Sequence, residues 1–300
     1  MTSPSVSVGL PVYNGANYVA AAIESILDQT YADLELIIND NASTDETEAI
    51  CRAYAARDDR VLYARNENNL GASANYNATV DRARGRFFKW IAHDDLTAPA
   101  FFERCVEVLE ADSSVSLAYP TPRDIDQDGK LLAVLDSGLG FDGPSPSERF
   151  RRTYEVEHSY LCFFGVTRLD VLRQTARHGS YLYADRVLVS ELSLWGRIHE
   201  VPEELLFRRL HEDRYVDAKT TYEDQLAWHD TSRTGTIAFP RWRYYKELGA
   251  AVRRSPVSPR DRSIAFGLVA KWAAQASPGL AKDLVNPARR RLMPKRVTQA

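Results

Sequence analysis

Four short polar clusters, each placed directly after an apolar run of strand length, constrain this chain more than any other feature. Val6 to Leu10 leads into Pro11-Val12-Tyr13-Asn14, Leu34 to Ile38 into Asp40-Asn41, Val61 to Tyr63 into Asn66 to Gly71, and Phe87 to Ile91 into His93-Asp94-Asp95. In an open parallel sheet with helical crossovers, the carboxyl ends of the strands border one crevice, and ligands sit there. Residues far apart in sequence then converge on one site.

The segments between these runs carry helical spacing. Tyr18, Ala22, Ile23, Ile26 and Leu27 recur on one helical face, and Ser43 followed by Glu46 predicts a capping box opening a helix with Ile50, Cys51 and Tyr54 on its apolar side. Ala74 to Ala83 and Phe101 to Leu109 read as further helices, with strands at Phe87 to Ala92 and Val115 to Tyr119. Strands alternating with helices through the first 120 residues predict an α/β fold on a doubly wound, mostly parallel sheet with helices on both faces.

At 300 residues, 44% apolar and 26% charged, the chain has the composition of a soluble globular protein with a substantial core. No signal peptide is visible, and the longest apolar stretch, Ile264 to Ala274, is too short for a membrane span and carries Lys271. Cys51, Cys105 and Cys162 lack metal-ligand spacing and read as small buried hydrophobes of a reduced, cytoplasmic protein. The net charge of −3 hides an asymmetry. From Arg241 onward fourteen Lys or Arg face Glu247, Asp261 and Asp283, about +11 against about −14 for the remainder. With Trp242, Tyr244, Tyr245, Phe266 and Trp272 interleaved, this segment predicts a mainly helical extension divided by Pro256, Pro259 and Pro278. Its charge either recruits the protein to an anionic inner membrane surface, or packs against the acidic remainder, or forms a homodimer contact.

The ligand class follows from what the crevice has and lacks. No Gly-x-Gly-x-x-Gly turn follows the first strand and no Gly-Lys-Ser/Thr loop exists to cradle a phosphate, which disfavours NAD enzymes and P-loop ATPases. Carboxylates end the second and fourth strands instead. Adjacent acids at a ligand site call for a cation, and hard oxygen ligands suit Mg²⁺ or Mn²⁺ bridging to a diphosphate. Asp124-Ile125-Asp126-Gln127-Asp128-Gly129 matches half of a calcium loop, but Leu135 stands where the bidentate acid belongs, so Asp128-Gly129 predicts a hairpin turn between Tyr119 to Arg123 and Leu131 to Leu135.

Together, Val6-Ser7-Val8-Gly9-Leu10-Pro11-Val12-Tyr13-Asn14, Ile37-Ile38-Asn39-Asp40-Asn41-Ala42-Ser43-Thr44-Asp45, Asn69-Leu70-Gly71 and His93-Asp94-Asp95 with Pro99 downstream resemble family 2 glycosyltransferases of the GT-A fold. The resemblance covers the first 120 residues well and continues more weakly to about His211. It implies a nucleotide-sugar donor, UDP favoured, a divalent cation, and inversion at the anomeric carbon by single displacement. Pro11, Tyr13 and Asp40 then resemble the groups that hold the nucleobase, with Asn14, Asn69 and Gly71 in the same donor-binding turns. Asp94 resembles the ribose-binding carboxylate and Asp95 the metal ligand; Ala92 stands where the family often has a further acid. Ala184-Asp185 resembles the family's Glu-Asp pair at a helix start, which makes Asp185 the candidate catalytic base. Arg208-Arg209-Leu210-His211 resembles a loop over the diphosphate, with Arg209 on the donor and His211 as a second metal ligand.

The expected division is a donor half over residues 1–120, an acceptor and base half over 121–240, and the basic extension over 241–300. The acceptor is a saccharide, a lipid-linked sugar or a small molecule. A sugar-nucleotide nucleotidyltransferase would carry a Gly-rich loop with Arg after the first strand, which Pro11-Val12-Tyr13-Asn14 is not; a non-catalytic binding module would not need the retained carboxylates. No nucleic-acid module is recognisable. Processive synthases carry Gln-x-x-Arg-Trp, whereas Ala238 occupies the Gln position before Arg241-Trp242, so one sugar per encounter is expected.

Overall fold

Strands β1 (Val6–Val12) and β2 (Leu34–Asp40) are buried at every position, as nearly continuous apolar runs become when helices cover both faces of a parallel sheet. The computed structural model describes residues 3–135, 141–156, 160–212, 221–233 and 239–292, the last with side chains to 285. Helix α1 (Val19–Leu27) joins β1 to β2, and α2 (Thr47–Ala55) leads to β3 (Val61–Arg65). Then follow α3 (Ala72–Arg82), β4 (Phe87–Trp90), β5 (Leu96–Thr97), α4 (Phe101–Ala111), β6 (Val115–Ile125) and β7 (Leu131–Val134). The second half contains α5 (Pro146–Glu155), β8 (Val166–Arg168), α6 (Leu169–Gln174), α7 (Ala184–Trp195), β9 (Arg197–Arg209) and α8 (Tyr222–His229), before α9 (Pro240–Arg254), α10 (Pro259–Gln275) and α11 (Ser277–Leu292).

Among the described residues the strands form one sheet in the order β3-β2-β1-β4-β8-β6-β9-β5, with β7 paired to β6. The expected α/β fold is present. Its first four members run parallel, and the sheet becomes mixed where β8 lies antiparallel between β4 and β6 and where β5 lies antiparallel to β9. Pro120 and Pro122 cannot donate to a ladder, and the β6–β9 register shifts on either side of Thr121. Gly9 lets α3 approach β1 closely, since a Cβ there would lie 2.3 Å from Thr79 Oγ1.

One face of the sheet is covered by α1, α2 and α4 through Val19, Ile23, Ile26, Cys51, Phe102 and Cys105; the other by α3, α6 and α7 through Val80, Leu172, Leu188 and Leu192. All three cysteines are free and buried. A third layer lies beyond α7. Its outward residues Val187 and Leu194 join Phe150 of α5 with Leu248, Val252, Val269 and Trp272 of α9 and α10, and Trp272 stacks on Tyr154 at 4.2 Å. Helix α7 is therefore held between the sheet and the basic extension.

Several of that extension's cations turn inward. Arg254 grips the fully buried Glu191 of α7 through two bonds of 2.8 Å, Arg241 Nη1 bonds Asp283 at 2.6 Å, and Lys271 lies 3.5 Å from Glu155. Breaks fall near Pro256, Pro259 and Pro278 as expected. Among the described residues no helix is long and apolar enough to cross a membrane.

Two local expectations resolve differently. The Asp128-Gly129 hairpin forms: β6 and β7 pair antiparallel, Gly129 has φ +87°, and the Asp126 carboxylate accepts from Asp128 N and Lys130 N at 3.0 and 2.9 Å. The capping box does not. Helix α2 starts at Thr47, after Glu46, because Ser43 Oγ accepts from Asn14 N at 2.9 Å and Ser43 N donates to Asp40 at 2.8 Å. Asp45 supplies the acceptor for Thr47 N instead, at 3.1 Å.

Candidate active site

The turns that end β1, β2 and β3 are cross-linked by short polar side chains. Asn14, at φ +50°, accepts from Thr44 N at 2.8 Å, while Gly15 N donates to Thr47 Oγ1 at 2.9 Å. Tyr13 stands exposed beside them and Pro11 is buried in β1 opposite Asn39. Asp40 is fully buried. Its Oδ1 accepts from Ser43 N at 2.8 Å and its Oδ2 from the Tyr63 hydroxyl at 2.8 Å, with Arg65 Nε 3.5 Å away, so both oxygens already have partners.

An asparagine network continues the lining. Asn41 Nδ2 donates to Asn69 Oδ1 at 2.9 Å, and Asn41 Oδ1 accepts from Asn66 Nδ2 at 2.8 Å and Leu70 N at 3.0 Å. Asn39 Nδ2 donates to Asn75 Oδ1 at 2.6 Å. These bonds cross-link the turns after β2 and β3, although the buried Asn39 Oδ1 has no hydrogen-bond partner among the described residues. Gly71 adopts φ +88°, and a Cβ there would lie 2.6 Å from His229 O, so α8 closes over this loop; Thr231 Oγ1 adds a bond to Asn69 O at 2.8 Å.

The corner after β4 gathers the paired acids. Asp95 Oδ1 accepts from Arg209 N at 3.0 Å, and Arg209 Nε donates to Asp94 O at 2.9 Å. Arg209 is 5% exposed, and its Nη1 donates to Asp126 O and Gln127 O at 3.2 and 2.8 Å. Its guanidinium also lies over the Tyr18 ring at 4.7 Å, so it ties β9, the β6–β7 turn and this corner together. His211 Nε2 lies 2.9 Å from Asp94 Oδ2, its ring 4.9 Å from Tyr18, and its buried Nδ1 has no partner among the described residues.

Among the described residues no three of His, Cys, Asp or Glu gather as a metal site. The donors nonetheless suit a hard cation that takes its remaining ligands from a diphosphate: carboxylates of Asp94 and Asp95 with an imidazole beside them. Lys89, fully buried one turn of chain upstream, donates to Trp90 O and Phe164 O at 3.0 and 2.7 Å; burial brings its amine down to about 7, against the pull of Asp95.

Asp185 comes from the second half of the chain. It is half-buried at the start of α7, whose N-cap Tyr183 takes φ +67°. Burial raises its carboxyl above the ordinary aspartate range, and a bond from Arg186 N–H together with the Arg186 charge opposes that rise. Tyr76 of α3 feels the charge of all three carboxylates. Its hydroxyl is pushed up by burial and then by the charges of Asp94, Asp95 and Asp185, which come from positions 90 residues apart in sequence.

Sequence reasoning did not single out Tyr18, Tyr63, Tyr76, Lys89 or Arg186. The partners of Tyr18, Tyr63 and Tyr76 come from other elements, and only Lys89, a charge inside an apolar strand, carries a local signal.

Comparison with known proteins agrees with this architecture. The family model described as glycosyl transferase family 2 matches residues 7–174. An uncharacterized glycosyltransferase of Rickettsia prowazekii is 38% identical over 131 residues, covering 43% of this chain and 40% of that protein. Chondroitin synthase of Escherichia coli is 35% identical over 160 residues, covering 53% of this chain and 22% of that enzyme. The matched region thus spans less than half of these relatives. Among solved structures, residues 1–349 of Staphylococcus aureus TarS in complex with UDP-GlcNAc superpose with a TM-score of 0.61 at 14% identity, covering 87% of this chain and 70% of that one. Mannosyltransferase PcManGT from Pyrobaculum calidifontis, in complex with GDP-Man and Mn²⁺, gives 0.56 at 17% identity, covering 98% and 82%. At such identities the likeness speaks for a shared GT-A fold.

Proposed function

This chain belongs to glycosyl transferase family 2, and from that premise we propose that it moves one sugar from a nucleotide diphosphate sugar, UDP favoured, to an acceptor hydroxyl with inversion. The observation that carries the reading is that the charges of Asp94, Asp95 and Asp185 all act on the Tyr76 hydroxyl. An inverting displacement needs a base on one face of the sugar and a stabilised leaving group on the other, and in this reading Asp185 serves the first and Asp94 with Asp95 the second.

The donor half, residues 1–120, holds the nucleotide. Asp40 fixes the turn that forms the base pocket beside Tyr13 and Asn14, and a base N–H reaches Asp40 by exchange with the Tyr63 hydroxyl. Asp94 takes the ribose hydroxyls once His211 yields its place on Oδ2. Asp95 and His211 would hold a Mg²⁺ or Mn²⁺ ion, which neutralises charge on the departing diphosphate when bound. Asp185 accepts the proton of the acceptor hydroxyl. Its raised pKa brings it nearer to neutral pH, where a general base works well, a contribution of roughly 10²- to 10⁴-fold.

Residues 121–240 supply the acceptor side, and the extension after residue 240 supports α7 from behind. The pair of Arg254 with the buried Glu191 of α7 favours that supporting role over membrane recruitment. Incubation with UDP-, GDP- and dTDP-sugars plus Mn²⁺, scored for nucleotide release, tests the reading. With water as the only acceptor, slow UDP release that stops in EDTA is expected; failure of every nucleotide sugar both to bind and to be hydrolysed sinks it.

A further inference from the structure

Arg186 directly follows the candidate base and is exposed. Its guanidinium carbon lies 4.8 Å from the centroid of the Tyr160 ring and 5.3 Å from that of Tyr183. Among the described residues it makes no ion pair and its side chain has no hydrogen-bond acceptor. The other cations of this neighbourhood are committed: Arg241 to Asp283, Arg254 to Glu191, Arg177 to Asp81.

The two tyrosines are held in place at a cost. Tyr160 takes φ +56° and Tyr183 φ +67°, left-handed conformations that bulky side chains rarely adopt. Neither is a free loop tip: the Tyr160 hydroxyl donates to Thr153 O at 2.7 Å, and the Tyr183 ring packs against Tyr244 at 5.7 Å. Strain that surrounding structure maintains at two positions flanking one side chain points to a function for that side chain. Here it aims two ring faces at one guanidinium, which orients the planar fork without using any of its N–H donors.

We propose that Arg186, framed by Tyr160 and Tyr183, binds an oxyanion carried by the acceptor, so that the enzyme glycosylates a saccharide bearing a carboxylate or phosphate close to the attacked hydroxyl. The assignment rests on the reading of Asp185 as base, because adjacency to that carboxylate is what makes the subsite an acceptor subsite. A guanidinium matches either oxyanion with two parallel bonds and discriminates against a neutral hydroxymethyl. It also positions the acceptor, leaving Asp185 to take the proton.

Isothermal titration at low ionic strength with methyl β-glucoside, methyl β-glucuronide and glucose 6-phosphate tests this without any catalytic turnover. The wild type should bind at least one anionic sugar about 10-fold or more tighter than the glucoside. Which of the two wins tells carboxylate from phosphate. In Arg186→Gln the ratio should fall to near one, and Arg186→Lys should restore part of it. Equal affinities for all three in the wild type, or a preference that survives Arg186→Gln, overturns the proposal. Binding of UDP and GDP with and without Mn²⁺ is titrated in parallel and tests only the nucleotide-sugar reading. A protein that binds the anionic sugars through Arg186 but binds no nucleotide would therefore leave the anion subsite standing and remove the transferase reading.

Discussion

In the turns that end β1, β2 and β3 most polar side chains are spent on one another, whereas at the start of α7 stand a half-buried carboxylate, Asp185, and an exposed guanidinium, Arg186, without an ion pair among the described residues. Asp40, Asn41, Asn66 and Asn69 satisfy each other and the turns they end. Asp185 and Arg186 rest instead on a helix clamped between the sheet and α9, where Arg254 holds Glu191. Both walls contain left-handed residues, Ala42 at φ +65° on one and Tyr183 at φ +67° on the other. The contrast teaches that one wall is preorganised by hydrogen bonding, the other by burial and strain.

The largest test breaks the proposed cation site at Asp95. Asp95→Ala should lower turnover by about 10³-fold and abolish any Mn²⁺-dependent tightening of UDP binding, since a group aimed at developing charge is worth that much. Full activity of this variant, or of the wild type in EDTA, contradicts the assignment.

Next in size is a pH effect where the two walls meet. His178 and His229 both bond Ser73 Oγ, at 3.1 and 3.2 Å, and burial lowers them to about 3 and about 4. Folded values below the ordinary 6.5 mean that the unfolded chain binds protons first. Stability contributed by keeping them neutral is therefore complete above pH 6.5 and is lost on acidification toward pH 4, at about 1.4 kcal/mol per pH unit for each ring. Urea midpoints at pH 7 and pH 5 measure it. His229→Asn should remove about half of the slope, and an unchanged slope means that His229 titrates elsewhere.

The smallest effect separates the two kinds of strain. Ala42 gains only a turn from its conformation, so Ala42→Gly should stabilise by about 1 kcal/mol. Tyr183→Gly also removes a ring packed on Tyr244 and Arg186, and should destabilise. Equal gains in both urea midpoints would show that the ring contacts at Tyr183 hold nothing in place.

The same contrast explains what was legible in the sequence. Strands β1 and β2, the β6–β7 hairpin and the four polar turns are encoded by neighbours within a few residues, and they were readable as such. The failed capping box shows the limit, because Ser43 answers to Asn14 from another strand. Tyr63 on Asp40, Tyr76 among three carboxylates and the ring frame of Arg186 arise only when distant elements pack. Charge counting exposed the basic extension, yet it could not say that Arg254 would meet Glu191, 63 positions away.

The account stands or falls on Asp185. In Asp185→Asn, donor affinity measured by titration should stay within a few-fold of wild type while transfer at saturating substrates drops by roughly 10²-fold or more. The acid limb of the wild-type rate profile should lie above the ordinary carboxylate value of about 3.9, in line with its raised pKa, and should vanish in the variant. A collapse of donor affinity with a normal rate at saturation would contradict the account, making Asp185 a donor ligand or a helix cap and leaving the base to be found elsewhere.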